Sequence, residues 1–493
     1  MQIGFDNDKY IALQAEHIRS RINQFGGKLY LEFGGKLFDD YHASRVLPGF
    51  QPDSKIRMLK SLSEEVEIIF TINANDIEKS KLRGDLGITY DDDVLRLLDN
   101  FRSMGFLTGN VVITHFTGQP GAHAFKQRLE SLGITCILHS PIAGYPYDID
   151  HIVSDEGYGQ NAYVETSRPL VVVTAPGPGS GKMATCLSQL YHEHKRGVTA
   201  GYAKYETFPV WNLPLKHPVN VAYEAATVDL DDVNSIDPFH LEAYGETTVN
   251  YNRDIEIFPV LKAMMEKISG SSPYQSPTDM GVNMAGMAIT DDEIVQKAAK
   301  EEVVRRYFQT AVNAKRTGSG SELVEKLELL MNQAGVSPGI SPARSAALLK
   351  EETTGAPAGA IVLPDGSVAT GKTSNLLGAA SSLLMNALKG VAGVDSDIDV
   401  ISDAVIEPIS RLKIERLHSK NPRLHPDETL IALSISSATD PLAARLIEHL
   451  GDLRGLDAYF SVIISQSDEK LYKTLGINVC CEPKYEQHRY YHK

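Results

Sequence analysis

The chain has 493 residues, too many for one hydrophobic core and enough for about three domains. With 42% apolar and 23% charged residues its composition is that of a globular protein, and a net charge of −15 argues against nucleic acid or an anionic membrane as main partner, since either needs a basic face. No apolar run approaches the roughly eighteen residues of a membrane span, Met1 to Lys9 lacks the order of a signal peptide, and four irregularly spaced cysteines fit a reducing compartment, so a cytoplasmic location is expected.

Ile11, Leu13, Ile18 and Ile22 are spaced as an amphipathic helix over residues 9–23, and residues 28–33 read as a strand ending in Gly34-Gly35-Lys36. Strands at 67–72, 110–115 and 134–139 alternate with helices at 92–104 and 122–132. Such alternation implies a parallel sheet covered on both faces, so the fold class is α/β and multidomain. The divisions expected are 1–165, 166–275, a helical hairpin region at 276–350 and a C-terminal α/β domain at 351–493.

In parallel sheets ligands gather at the carboxyl ends of the strands, and the residues just past these strands are polar. Phe33 is followed by Lys36, Asp39, Asp40, His42 and Arg45, Ile72 by Asn73, Asn75 and Asp76, and Ile113 by Thr114 and His115. Each alone also reads as a turn residue or helix cap; the acids Asp91, Asp92 and Asp93 are expected to cap the helix they open. Lys36, His42 and Asp76 are the catalytic candidates of this edge.

The next strand, Leu170 to Thr174, runs through Gly177, Gly179, Ser180 and Gly181 into a helix that Lys182 opens. Three glycines and a lysine at a strand-to-helix turn suit phosphate, because the first helical amides have no internal partners and the helix dipole adds positive charge. The pattern departs from G-x-x-x-x-G-K-[ST]: Pro176 replaces the first glycine and Met183 the metal-binding hydroxyl, which only Ser180 or Thr185 could replace. The competing reading is a turn that serves packing alone. Residues 219–228 read as a further strand, after which Asp229, Asp231 and Asp232 suit magnesium beside a phosphate or else form a solvated turn. Between them, the aromatic and basic stretch 202–218 could cover a base or sugar or simply pack.

Residues 271–277 read as a linker or long loop, Thr290 to Glu293 as a capping box opening a helix through Phe308, and Ser319 as the start of another that stops at Gly335. Gly366 to Thr373 matches the phosphate-loop pattern in full, yet Pro364-Asp365-Gly366 between apolar segments is a hairpin signal, with Gly371-Lys372 then opening a helix that could still meet an anion. Beyond it, strands near 398–401, 429–435, 458–464 and 477–481 alternate with helices near 404–417 and 441–450, an order similar to the three-layer cytidine-deaminase topology. The zinc-binding H-x-E and P-C-x-x-C of that chemistry are absent, as are H-E-x-x-H and G-x-S-x-G.

Phe33 to Gly49, Val171 to Gln189 and Leu363 to Thr373 together resemble a bacterial family of unknown function, over essentially the whole chain. Its members have sometimes been labelled ATP-dependent peptidases, a label that the missing zinc and serine motifs do not support. The resemblance implies a multidomain α/β architecture and supplies no catalytic residues. From the residues themselves, the expectation is a homo-oligomer that binds a nucleotide or other phosphorylated metabolite, without zinc and with magnesium at Asp229 and Asp231. As an enzyme it would be a phosphoryl or nucleotidyl transferase or an ATP-dependent ligase; the alternative is a non-catalytic metabolite-binding or scaffold protein.

Overall fold

The computed structural model describes residues 2–35, 37–38, 40–83 and 86–486, and the chain divides into two compact units, 2–299 and 300–493. In the first unit the strands are β1 (Leu29–Phe33), β2 (Val66–Asn73), β3 (Leu82–Arg83), β4 (Ile88–Thr89), β5 (Leu107–Thr114), β6 (Thr135–Leu138), β7 (Leu170–Thr174), β8 (Gly201–Tyr205), β9 (Asn234–Ile236), β10 (Val249–Tyr251) and β11 (Gly281–Val282). Seven of them form one sheet in the order β11-β8-β1-β7-β2-β5-β6, parallel throughout.

The apolar runs explain this placement. All five residues of Leu170–Thr174 are buried, as a strand covered on both faces requires. One face packs Leu31, Ile68, Phe70 and Val172 against the helices Asn7–Gln24 and Tyr90–Ser103 through Ile18, Val94 and Phe101. The other packs Tyr30, Ile69, Val171, Val173 and Tyr202 against the helices Lys182–Lys195 and Asn252–Ser269 through Cys186, Leu190, Phe258 and Met264. The path from β7 passes over β1 to β8 in one direction, while that from β2 goes to β5 in the other. The crevice expected where connections diverge therefore opens at the carboxyl ends of β7 and β2.

The second unit carries β12 (Ala358–Val362), β13 (Val368–Lys372), β14 (Asp457–Phe460) and β15 (Asn478–Cys481) in the order β13-β12-β14-β15. β12 is antiparallel to both neighbours and β14 is parallel to β15. The hairpin signal is realised: Gly366 has a φ of 87° and its amide donates to the Leu363 carbonyl at 2.9 Å.

Four sequence expectations are corrected here. Residues 219–228 are largely a helix, Pro218–Ala226, and 429–435 lie within a helix, Pro426–Ser436. In both, proline in the first turn after a histidine cap outweighs the β-branched content that suggested a strand. Residues 398–401 form no strand. Lys372 closes β13 instead of opening a helix, which starts at Ala379, and Gly371 lies under that helix, where a Cβ would come within 2.2 Å of the Leu383 nitrogen. Two helices also exceed or depart from their expected spans, Asp292–Thr317 and Ser321–Gln333.

Gly371 is thus required by close packing. Gly371→Ala is expected to destabilise the protein by about 1–3 kcal/mol through overpacking, while Lys372→Ala at the exposed neighbour changes it by less than about 0.5 kcal/mol, as measured by urea unfolding.

Candidate functional site

The loop that leaves β7 is fixed from three sides. The Asn73 side-chain amide, at the end of β2, donates to the Gly179 carbonyl at 3.1 Å, and the Thr114 hydroxyl, at the end of β5, donates to the Ser180 carbonyl at 2.9 Å. The Ser180 hydroxyl closes the turn by donating to the Gly177 carbonyl at 3.0 Å. In a trans peptide the N–H opposes the C=O, so holding the carbonyls of 179 and 180 turns the amides of Ser180 and Gly181 the opposite way. They adjoin the first-turn amides of the helix that Lys182 opens, which have no intrahelical acceptor.

Two glycines here are needed sterically. A Cβ on Gly177 would sit 2.3 Å from the Tyr90 hydroxyl oxygen; Gly181, at a φ of 81°, would place one 2.9 Å from the Thr114 methyl. Thr185, one turn into the helix, is 1% exposed, and among the described residues its hydroxyl has no hydrogen-bond partner.

The other predicted residues are distributed unevenly. Lys36 lies outside the described residues. His42 stands in the short helix Tyr41–Val46 with its ring edge-on to Phe208 at 5.5 Å and to Tyr223 at 5.8 Å. Before it, Asp40 is buried against Lys55 at 2.8 Å; burial disfavours its charge, yet Lys55 holds the carboxyl below its ordinary value. Asp76 sits in the first turn of the helix Ala74–Glu78 and pairs with Lys81 at 3.3 Å. Of the acidic triplet, Asp93 is fully buried between Arg83 at 2.7 Å and Arg96 at 2.8 Å, so it ties the loop rather than capping the helix.

Asp229 and Asp231 come after a helix rather than a strand and are exposed, Asp229 in the 3-10 turn Val228–Leu230 and Asp231 just after it. Asp232 turns inward and accepts from Arg253 at 2.7 Å. Among the described residues, no group of three or more His, Cys, Asp or Glu side chains is arranged to hold a metal ion.

A second charged group at the same edge was not anticipated. Lys204 on β8 lies 3.0 Å from Glu206 and also pairs with Asp254, in the first turn of the helix Asn252–Ser269. Burial, together with Asp254, pushes Glu206 up to about 8 against the pull of Lys204. The Lys204 ammonium, although burial disfavours it, is held above its ordinary value by Asp254, Glu206 and Glu32. Side-chain exposures of 20% for Lys204, 9% for Glu206 and 17% for Asp254 leave the group enclosed but open to solvent. The Tyr251 ring flanks the ammonium at 5.7 Å, and Glu32 on β1 accepts from the Tyr202 hydroxyl at 2.7 Å. The available signal was a lysine inside Gly201–Tyr205 with a glutamate after it, in a stretch read for its aromatic and basic residues and not as a strand.

Two family models cover the chain: the domain of unknown function DUF1846, N-terminal, matches residues 3–335, and its C-terminal counterpart matches 340–491. The chain belongs to the DUF1846 family. It is similar to the UPF0371 proteins of Streptococcus pneumoniae serotype 19F strain G54, strain 70585 and strain P1031, each 56% identical over 490 residues, 99% of this chain and 99% of the relative. Membership thus extends over the whole length, as the three resembling stretches implied, and the chemistry of this DUF1846 chain rests on its side chains.

The raised Glu206 gives a signed pH effect. Above its ordinary value of 4.5 the unfolded carboxyl is ionised, whereas the folded one keeps its proton up to about 8. The native state therefore binds more protons across that window, and the stability contributed below it is lost as pH rises through about 8. Urea unfolding at about pH 5.5, 7 and 8.5 is expected to show wild type losing stability relative to Glu206→Gln as pH rises; a difference independent of pH would mean that the carboxyl is ionised throughout.

Proposed function

We propose that the carboxyl edge of the seven-stranded sheet binds a phosphorylated metabolite or nucleotide, with its phosphate on the loop from Gly177 to Gly181. The observation that carries this reading is the fixing of the loop carbonyls by Asn73 and Thr114, side chains from the ends of two other strands. A turn that only packed would not need its amides presented as a set; a phosphate does, and the helix dipole behind them favours the same charge. Lys182 supplies the full positive charge and Thr185 an oxygen at the base of the loop. The position of the loop at the divergence of the chain path is where parallel sheets hold their ligands.

The reading concerns recognition of the phosphate. It does not draw on Asp229 and Asp231, which are exposed and follow the helix Pro218–Ala226.

Thermal unfolding with phosphate, pyrophosphate, ATP and sugar phosphates, each with and without magnesium, tests the site. A ligand at 100 times its Kd that binds only the native state adds about 2.7 kcal/mol. The expected outcome is a stabilisation by at least one of these compounds that is lost or strongly reduced in Lys182→Ala. No shift with any phosphate compound would assign the loop to packing alone.

A further inference from the structure

The Thr114 hydroxyl that holds the loop has one proton and three groups within reach of it. The Ser180 carbonyl lies at 2.9 Å, the Ile72 carbonyl at 3.4 Å and Nδ1 of the next residue, His115, at 3.2 Å. Carbonyl oxygens only accept, whereas an imidazole nitrogen donates or accepts according to where the ring proton sits. When Nδ1 carries hydrogen it donates to the Thr114 oxygen, whose own proton is then left for the Ser180 carbonyl. When Nδ1 is bare it competes for that proton, and the peptide unit of Ser180 and Gly181 loses this hold. A protonated ring carries hydrogen on both nitrogens, so it permits only the first arrangement.

His115 is kept in a special place. It is exposed, and its φ of 54° is left-handed, which is unfavourable for a residue with a Cβ. Gln119 secures it: the side-chain amide donates to the His115 carbonyl at 3.1 Å and to the Asn75 side-chain oxygen at 2.9 Å, while its oxygen accepts from the Thr117 amide at 2.8 Å. Residues in sparsely populated backbone regions persist where their surroundings over-determine them, and they gather at binding sites. Gly181 packs directly on the same threonine, since a Cβ on it would lie 3.0 Å from the Thr114 hydroxyl oxygen. Ring, hydroxyl and loop are thus successive members of one chain of contacts.

The titratable groups on the surrounding elements are engaged elsewhere. Asp76, on the helix Ala74–Glu78, pairs with Lys81 at 3.3 Å, and Glu78 accepts from the Gly121 amide at 2.8 Å. His123, on the helix Pro120–Ser131, stands edge-on to Phe116 at 4.8 Å. His139, after β6, is bonded through Nε2 to the Ala162 carbonyl at 3.0 Å, and burial pushes it down to about 4. Lys182 opens the helix beyond the loop. Among the described residues, only His115 of these is bonded to a side chain that holds the loop.

We infer that His115 is a positioning residue of the phosphate site: its protonated ring, acting through Thr114, fixes the peptide unit that presents the Gly181 amide. This rests on the phosphate reading of the loop. An anion on the loop and a proton on His115 therefore favour each other, and affinity for phosphate falls as pH rises through the range in which an imidazole loses its proton.

Calorimetric titration of the full-length protein with inorganic pyrophosphate at about pH 6, 7 and 8.5 tests the relay. The ionisation of pyrophosphate itself is common to every variant and cancels when Kd values are compared at one pH. His115→Asn accepts a left-handed backbone and keeps a fixed donor beside Thr114. The ratio of wild-type to His115→Asn Kd is expected to stay near one at the lowest pH and to rise about five- to tenfold at the highest, the worth of about one hydrogen bond. Thr114→Val, which keeps the shape and removes the relay, is expected to bind more weakly and to follow the pH course of His115→Asn. A ratio that does not change with pH would overturn the role of His115. Retention of the wild-type pH course in Thr114→Val would mean that the ring charge acts directly, and would overturn the relay. Either result leaves the phosphate site standing where Lys182→Ala abolishes binding. No binding of pyrophosphate by wild type at any pH would overturn the phosphate reading and this inference together.

Discussion

The glycine loop depends on two side chains that are not part of it. Asn73 and Thr114 sit at the ends of strands that lie beyond β7 in the sheet, and each binds a loop carbonyl. The loop conformation is thereby a property of the sheet: the register of β2 and β5 against β7 decides where the two donors stand, and they decide which way the peptide units face. Left-handed conformations at Gly179 and Gly181 make the turn accessible, but it is the neighbouring strands that select it.

The same logic holds for the charged group at β8. Glu32 and Lys204 are separated by 171 intervening residues, yet parallel register sets them side by side. Asp254 reaches the pair from the first turn of a helix on the covering layer, and β11 closes over Glu206 with a glycine. A charge within a buried strand is costly unless paired, and these pairs form only once the layers are assembled. Glu67 on β2 is an instructive contrast: at the opposite end of the sheet its carboxylate accepts from the backbone amides of Ser167 and Arg168, at 2.8 and 3.3 Å, and serves a turn. Which strand charges mark a site is decided by the end of the sheet they occupy.

Much of the architecture was legible in local pattern. The run Leu170–Thr174, the helix opened by Lys182 and the alternation before them are as the apolar spacing predicts, because each is fixed by burial on a regular period. Proline-led helices at 218 and 426 were misread because their β-branched residues were weighed above their starts. β8 was missed because it is short, begins with glycine and carries a lysine. Of the candidate site, the loop was visible since its chemistry is contiguous, whereas Lys204 with Glu206, Asp254 and Glu32 come from three separate places and come together only through strand order, which no local period encodes.

The placement of β7 also governs the order in which the sheet can be completed. β1 and β2 share no bonds with each other; both wait for Leu170–Thr174, which the ribosome makes about a hundred residues after β2. Until then the apolar margin of β2 that β7 will cover is an unpaired edge, open to any other strand in reach. The segment that forms the centre of the sheet and ends in the glycine loop is thus also the one that closes it to strangers. Sequence near residue 170 is constrained for safe synthesis as well as for the loop it leads into.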